Sequence, residues 1–187
     1  MIMLIDDQLK RIVDTLRESG QLANTIIVYM SDHGELLGDQ GLILKGCRFF
    51  EGLVRVPLIF SWPEGIERGL VSDALVETID VAPTLLDAAG LPTPESMQGR
   101  SLLPLLNGQR DLHRHRPHVI CEYFDAMGGH PDHTHGSMVC DGRYKSVVYH
   151  GHSIGELYDL ERDPGEFDNL WDDPAHRELQ YERVKYH

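Results

Sequence analysis

Cysteine is scarce: three residues in 187, none in a CxxC pair, so spacing indicates neither a disulfide framework nor a thiolate zinc site. Long apolar runs are absent too. No stretch approaches the roughly 20 apolar residues of a membrane span, which argues against a membrane partner. The opening MIMLIDDQ is apolar for only five residues before Asp6 and Asp7, too short and wrongly charged for a secretory signal. Positive charge is also in short supply. Seventeen basic against 30 acidic residues give a formal charge of −13, which excludes a general binder of nucleic-acid backbones. An anionic substrate would need a local site that overrides this field. There is no internal repeat and no low-complexity tract. What is present is a 41% hydrophobic, 25% charged composition typical of a soluble globular chain, long enough to bury a core.

Periodicity divides the chain into two parts. Ile5, Leu9, Ile12, Val13 and Leu16 fall on one helical face, with Gly20 as the stop. TIIVYM, residues 25–30, is β-branched and apolar on both faces, as in a central strand of a covered sheet, and VPLIFSW, residues 56–62, is a second such run. VETIDVAPTLLDAAG returns to helical spacing and is capped by Gly90, with Pro83 fitting only near the first turn. This order predicts an α/β domain over residues 1–110 with a parallel or mixed sheet. Beyond the polar stretch DLHRHRP come the short runs HVICEYF, GSMVCD, YKSVVYH and GELYDL. They predict a small antiparallel sheet in an α+β subdomain over residues 111–187, with a last helix near the end.

One stretch joins the two themes of charge and strand ends. In YMSDHGELLGDQGLILKG the apolar run stops at Asp32-His33-Gly34, and Lys45 returns at the far end of a glycine-rich loop. Ligands of open α/β sheets bind where strands end. A carboxylate beside an imidazole gives hard oxygen and borderline nitrogen donors for a divalent cation, and a lysine supplies a point charge for an oxyanion. Read alone, the same residues also make a solvated polar turn and a surface lysine.

The wider context resembles a known family. TIIVYMSDHGELLGDQGLILKGCRFFEGLVRVPLIFSWP, then ETIDVAPTLLDAAGLPTPESMQGRSLLPLLNG, then GRYKSVV and ELYDLERDPGEFDNL look, in order and spacing, like the C-terminal portion of the sulfatase family in the alkaline-phosphatase-like superfamily. The resemblance covers nearly the whole chain. It implies a partial alkaline-phosphatase-like sheet with helices, a sulfate ester as substrate, and a calcium-type ion or another divalent cation. Asp32 and His33 match the later of the family's two metal-binding pairs, and Lys45 matches the lysine that contacts sulfate. Glu51 and Arg55 match an acid and an arginine before the VPLI strand, where an i,i+4 pair can anchor the loop carrying Lys45. Tyr144 and Lys145 match small-sheet strand residues, and DPGE a structural turn.

Two family features are missing. The nucleophile is a formylglycine made within a C/S-x-P/A-x-R motif, and no such motif exists here: the cysteines begin CRFFE, CEYFD and CDGRY, and Ser96 in SMQGR has Gln where Pro or Ala is required. The early metal-binding acid pair is absent as well, and Asp6-Asp7 reads as helix capping. Formylglycine is therefore expected only in a preceding part, this polypeptide alone is expected to lack turnover, and uncovered apolar sheet surface is expected to favour self-association. The histidines crowd between His113 and His152. In HPDHTH, residues His130, His133 and His135 read as a flexible solvated loop, as substrate-reading groups bordering the cleft, or as a zinc site without thiolates. Three functions stay open: a sulfuric-ester hydrolase fragment, a fragment of a phosphonate monoester or phosphodiester hydrolase, and a non-catalytic metal- or carbohydrate-binding module.

Overall fold

The structure, a computed structural model, describes residues 1–124 and 134–187. Its residues form two compact units that interleave along the chain. One comprises Met1–Met30, Pro57–Asp73 and Ile79–His113; the other comprises Ser31–Val56, Ala74–Thr78 and Arg114–His187.

The first unit begins with α1, Ile2–Glu18, which stops at Gly20 with φ +72°. Only glycine adopts that backbone cheaply, so the predicted stop has a conformational cause. The start differs from the expectation. Because the helix begins at Ile2, Asp6 and Asp7 lie in its second turn and cap nothing. No residue of α1 is buried. β1, Ile27–Met30, pairs antiparallel with β4, Leu58–Ser61, in the register Ile27↔Ser61 to Met30↔Leu58. α3, Val81–Ala88, carries Pro83 in its first turn, where a missing N–H is harmless, and ends before Gly90 at φ +70°. Its entry is tied down by buried polar groups: Asp80 accepts from the Arg100 amide at 2.7 Å, and the Thr84 hydroxyl accepts from the Leu102 amide at 2.8 Å. α4, Leu103–Leu106, follows. Phe60, Trp62, Leu85, Ala88, Leu103 and Leu106 line a small apolar crevice within this unit.

The second unit contains β2, Leu36–Leu37, paired with β3, Ile43–Leu44, and the single turn α2, Glu51–Val54. Its centre is the four-stranded antiparallel sheet predicted from the sequence: β5, Val119–Phe124; β6, His135–Cys140; β7, Tyr144–Tyr149; and β8, Gly155–Asp159, in that order. Alternation explains its inner face. Met138 and Cys140 on β6, with Val147 and Tyr149 on β7, pack around Phe49. Phe49 belongs to the same loop as Lys45, so the sheet core holds that loop from behind. α5, Arg177–Val184, closes the chain, and the His187 imidazole bonds to Ser137 at 2.7 Å and Ser146 at 2.9 Å. Across the two units the chain is mixed α/β with an antiparallel subdomain sheet. Among the described residues no helix is long and apolar enough to cross a membrane.

Candidate functional site

The second unit brings Asp32, His33 and Lys45 together. His33 Nδ1 lies 2.8 Å from the Gly34 carbonyl oxygen, an atom that only accepts, so Nδ1 carries the ring proton. Nε2 is then the lone-pair nitrogen. It sits 3.6 Å from Asp32 Oδ2 and receives the Lys45 ammonium at 2.7 Å. The Ser31 hydroxyl donates to the His33 carbonyl at 2.7 Å and steadies the turn. The His33 amide donates to Asp32 Oδ1 at 3.0 Å, and this bond is the leading reason the Asp32 carboxyl is held below the usual carboxylate range. Asp32 is therefore an exposed carboxylate whose second oxygen stands 3.6 Å from the lone-pair nitrogen of His33.

Gly34 fixes this corner for a steric reason. A Cβ there would lie 1.8 Å from the Gly52 carbonyl oxygen, because the Gly34 amide donates to Leu53 and the Glu35 amide to Gly52. The strand-end turn and α2 are thus laced backbone to backbone. Lys45 arrives between two left-handed residues, Leu44 at φ +66° and Gly46 at φ +129°. Leu44 is exposed, so no burial of its side chain offsets the strain of that conformation.

Behind the loop lies a charge network centred on Lys145, a residue that the family resemblance marks only as strand structure. Lys145 is fully buried, and its ammonium reaches Glu51 at 2.5 Å, Glu166 at 2.8 Å and the Phe49 carbonyl at 3.1 Å. Glu166 also accepts from the Glu51 amide at 2.7 Å, and burial pushes its carboxyl up. Arg55, the expected partner of Glu51, is exposed and stands 3.7 Å away. The loop is therefore anchored chiefly by Lys145, with Arg55 peripheral. A signal for this existed: Lys145 alternates with Val147 and Tyr149, which marks an inward-facing charge that requires partners.

The histidine-rich segment divides. His130 and His133 lie outside the described residues. His135 is on β6, its ring 4.3 Å from that of His150 and 5.1 Å from Phe124, so its ring neighbours are residues of the sheet and its turn. Among the described residues no group of three or more His, Cys, Asp or Glu side chains is arranged to hold a metal ion. Asp32 and His33 still suit a divalent cation as part of a shell. Their oxygen and nitrogen donors lie 3.6 Å apart, and the His33 N–H is already committed to a carbonyl, the arrangement that orients metal-ligating imidazoles.

The family described as N-sulphoglucosamine sulphohydrolase, C-terminal, matches residues 38–186. An N-acetylglucosamine-6-O-sulfatase of Bacteroides thetaiotaomicron is 32% identical over 186 residues, covering 98% of this chain and 33% of that protein. The solved structure of a protein in complex with its substrate D-glucosamine-2-N,6-O-disulfate superposes with a TM-score of 0.86 at 28% identity, over 99% of this chain and 37% of the other. A phosphonate monoester hydrolase from Silicibacter pomeroyi does so with a TM-score of 0.86 at 30% identity, over 97% and 37%. This chain belongs to the sulfatase family of the alkaline-phosphatase-like superfamily. It spans about a third of the length of the curated relatives it matches.

Proposed function

We propose that this chain is the anion-binding part of a sulfuric-ester hydrolase, with Asp32 and His33 as ligands of a calcium-type divalent cation and Lys45 as the contact to the sulfate group. The observation that carries this reading is that the Asp32 carboxylate and the Lys45 ammonium both stand against His33 Nε2, at 3.6 and 2.7 Å. A divalent cation there would supply positive charge to sulfate oxygens. Asp32 and His33 would hold it, and Lys45 would offset charge on the ester. Relatives that act on sulfated glucosamine support a sulfated sugar as substrate. In that setting His130, His133 and His135 would read sugar hydroxyls or the leaving group. The chain carries no C/S-x-P/A-x-R motif, so the nucleophile must come from elsewhere in a complete enzyme.

The test uses the purified chain. Calcium titration followed by amide NMR should shift Asp32 and His33 with weak affinity, on the order of millimolar. Inorganic sulfate should shift Lys45, and Lys45→Met should abolish that shift. No aryl sulfate hydrolysis should be detectable. Measured turnover by this chain would overturn the assignment of the nucleophile. Tight calcium binding would favour a self-sufficient metal-binding module instead. A second reading, hydrolysis of phosphonate monoesters or phosphodiesters, has its support in the Silicibacter pomeroyi likeness. Phenylphosphonate binding the site more tightly than sulfate would favour it.

A further inference from the structure

We infer that the Lys45 ammonium and a divalent cation compete for His33 Nε2, so that cation binding releases Lys45 toward the anion. This rests on the metal reading above and adds to it an exchange between two cations on one nitrogen. The argument begins with valence. A neutral imidazole has a single lone pair, and with Nδ1 protonated against the Gly34 carbonyl that pair is on Nε2. Lys45 Nζ already donates to it at 2.7 Å. A metal ligated by Nε2 needs the same electrons from the same direction, so the two partners exclude each other stereochemically as well as by like charge.

The loop favours such an exchange. Lys45 is exposed and swings on a four-carbon stem, while its backbone is held between the left-handed Leu44 and Gly46. The lysine base therefore stays in place while its tip changes partner. Asp32 Oδ1 keeps its bond from the His33 amide, which does not involve Nε2. Other charged groups of this stretch do not share the nitrogen. Arg48 is the nearest cation in sequence, and its guanidinium bonds to the Cys47 carbonyl at 2.7 Å.

The experiment compares wild type, Lys45→Met and Arg48→Met as full chains, with Mn²⁺ alone as the probe. Paramagnetic broadening of the Asp32 and His33 amide signals reports occupancy. Each variant removes one positive charge from the loop, but only Lys45→Met frees the lone pair. Broadening in Lys45→Met should reach its midpoint at about a tenfold lower Mn²⁺ concentration, inside the usual range of coupling between two ligands. Arg48→Met should stay within about twofold of wild type. Equal shifts in the two variants, or no shift in Lys45→Met, would overturn the competition and leave the metal reading standing. Absence of broadening at Asp32 and His33 in all three proteins would overturn both. Retained amide dispersion shows that a variant is folded, and Lys45→Gln serves as a second substitution if Lys45→Met is not.

Discussion

At the residue scale, the site depends on positions with almost no steric or electrostatic freedom. Gly34 is one. Its backbone angles suit any residue, so the case for glycine is contact alone: a Cβ would overlap the Gly52 carbonyl oxygen. Gly34→Ala must pull the strand-end turn away from α2, and overpacking of this kind destabilises by about 1–3 kcal/mol. Urea unfolding should show that loss, and the amide signals of His33 and Lys45 should move together. Lys145 is the other. Removing a buried ammonium leaves Glu51 and Glu166 uncompensated, so Lys145→Met should destabilise by about 3–5 kcal/mol. The double variant Lys145→Met with Glu166→Gln should recover part of that in the same unfolding experiment. An equal loss in single and double variants would show that the network's charge balance is unimportant.

At the scale of elements, the last helix and the sheet meet through a titratable group. The His187 imidazole bonds to Ser137 and Ser146, and burial lowers its pKa from 6.5 to about 4. The neutral ring is thus favoured in the folded chain relative to the unfolded one. Its contribution is fully present above about pH 6.5, and it declines as pH falls toward 4 because the unfolded state takes up the proton first. Unfolding midpoints should drop over that window in wild type. His187→Ala should be less stable at neutral pH and show a flatter profile there. Identical pH slopes in the two proteins would remove His187 from the account. The β2–β3 pair makes a different point about elements. Leu37, Ile43 and Leu44 are exposed there, so the pair is a short arm that delivers Lys45 and buries mainly Leu36.

At the scale of the whole molecule, exposed apolar surface is concentrated on α1. Ile2, Ile5 and Ile12 are all exposed at helical spacing, and no residue of the helix is buried. An amphipathic helix with an open apolar stripe is favoured by association. The self-association expected from uncovered sheet surface should therefore run through α1 as well. Sedimentation of the purified chain should show concentration-dependent oligomers, and the paired change Ile5→Lys with Ile12→Lys should shift the population toward monomer. Unchanged oligomers in that variant would locate the contact on other surface, such as Ile59 of β4.

Local pattern alone was enough for much of this protein. The stop of α1 at Gly20, the place of Pro83 in the first turn of α3 and all four strands of the antiparallel sheet follow from glycine backbone freedom, the missing proline N–H and period-two alternation. Those are properties of neighbouring residues, and a sequence displays them directly. The choice of Asp32, His33 and Lys45 as candidates was legible too, since a strand end followed by a glycine loop is a local feature. Tertiary structure decided the rest. It placed residues 31–56 in the same compact unit as the C-terminal sheet, paired β1 antiparallel with β4, and set Lys145 against Glu51 and Glu166 across gaps of 94 and 21 residues. Partners that far apart are selected by burial and charge balance in three dimensions, and nothing in the spacing of a chain encodes which buried acid a buried lysine will meet.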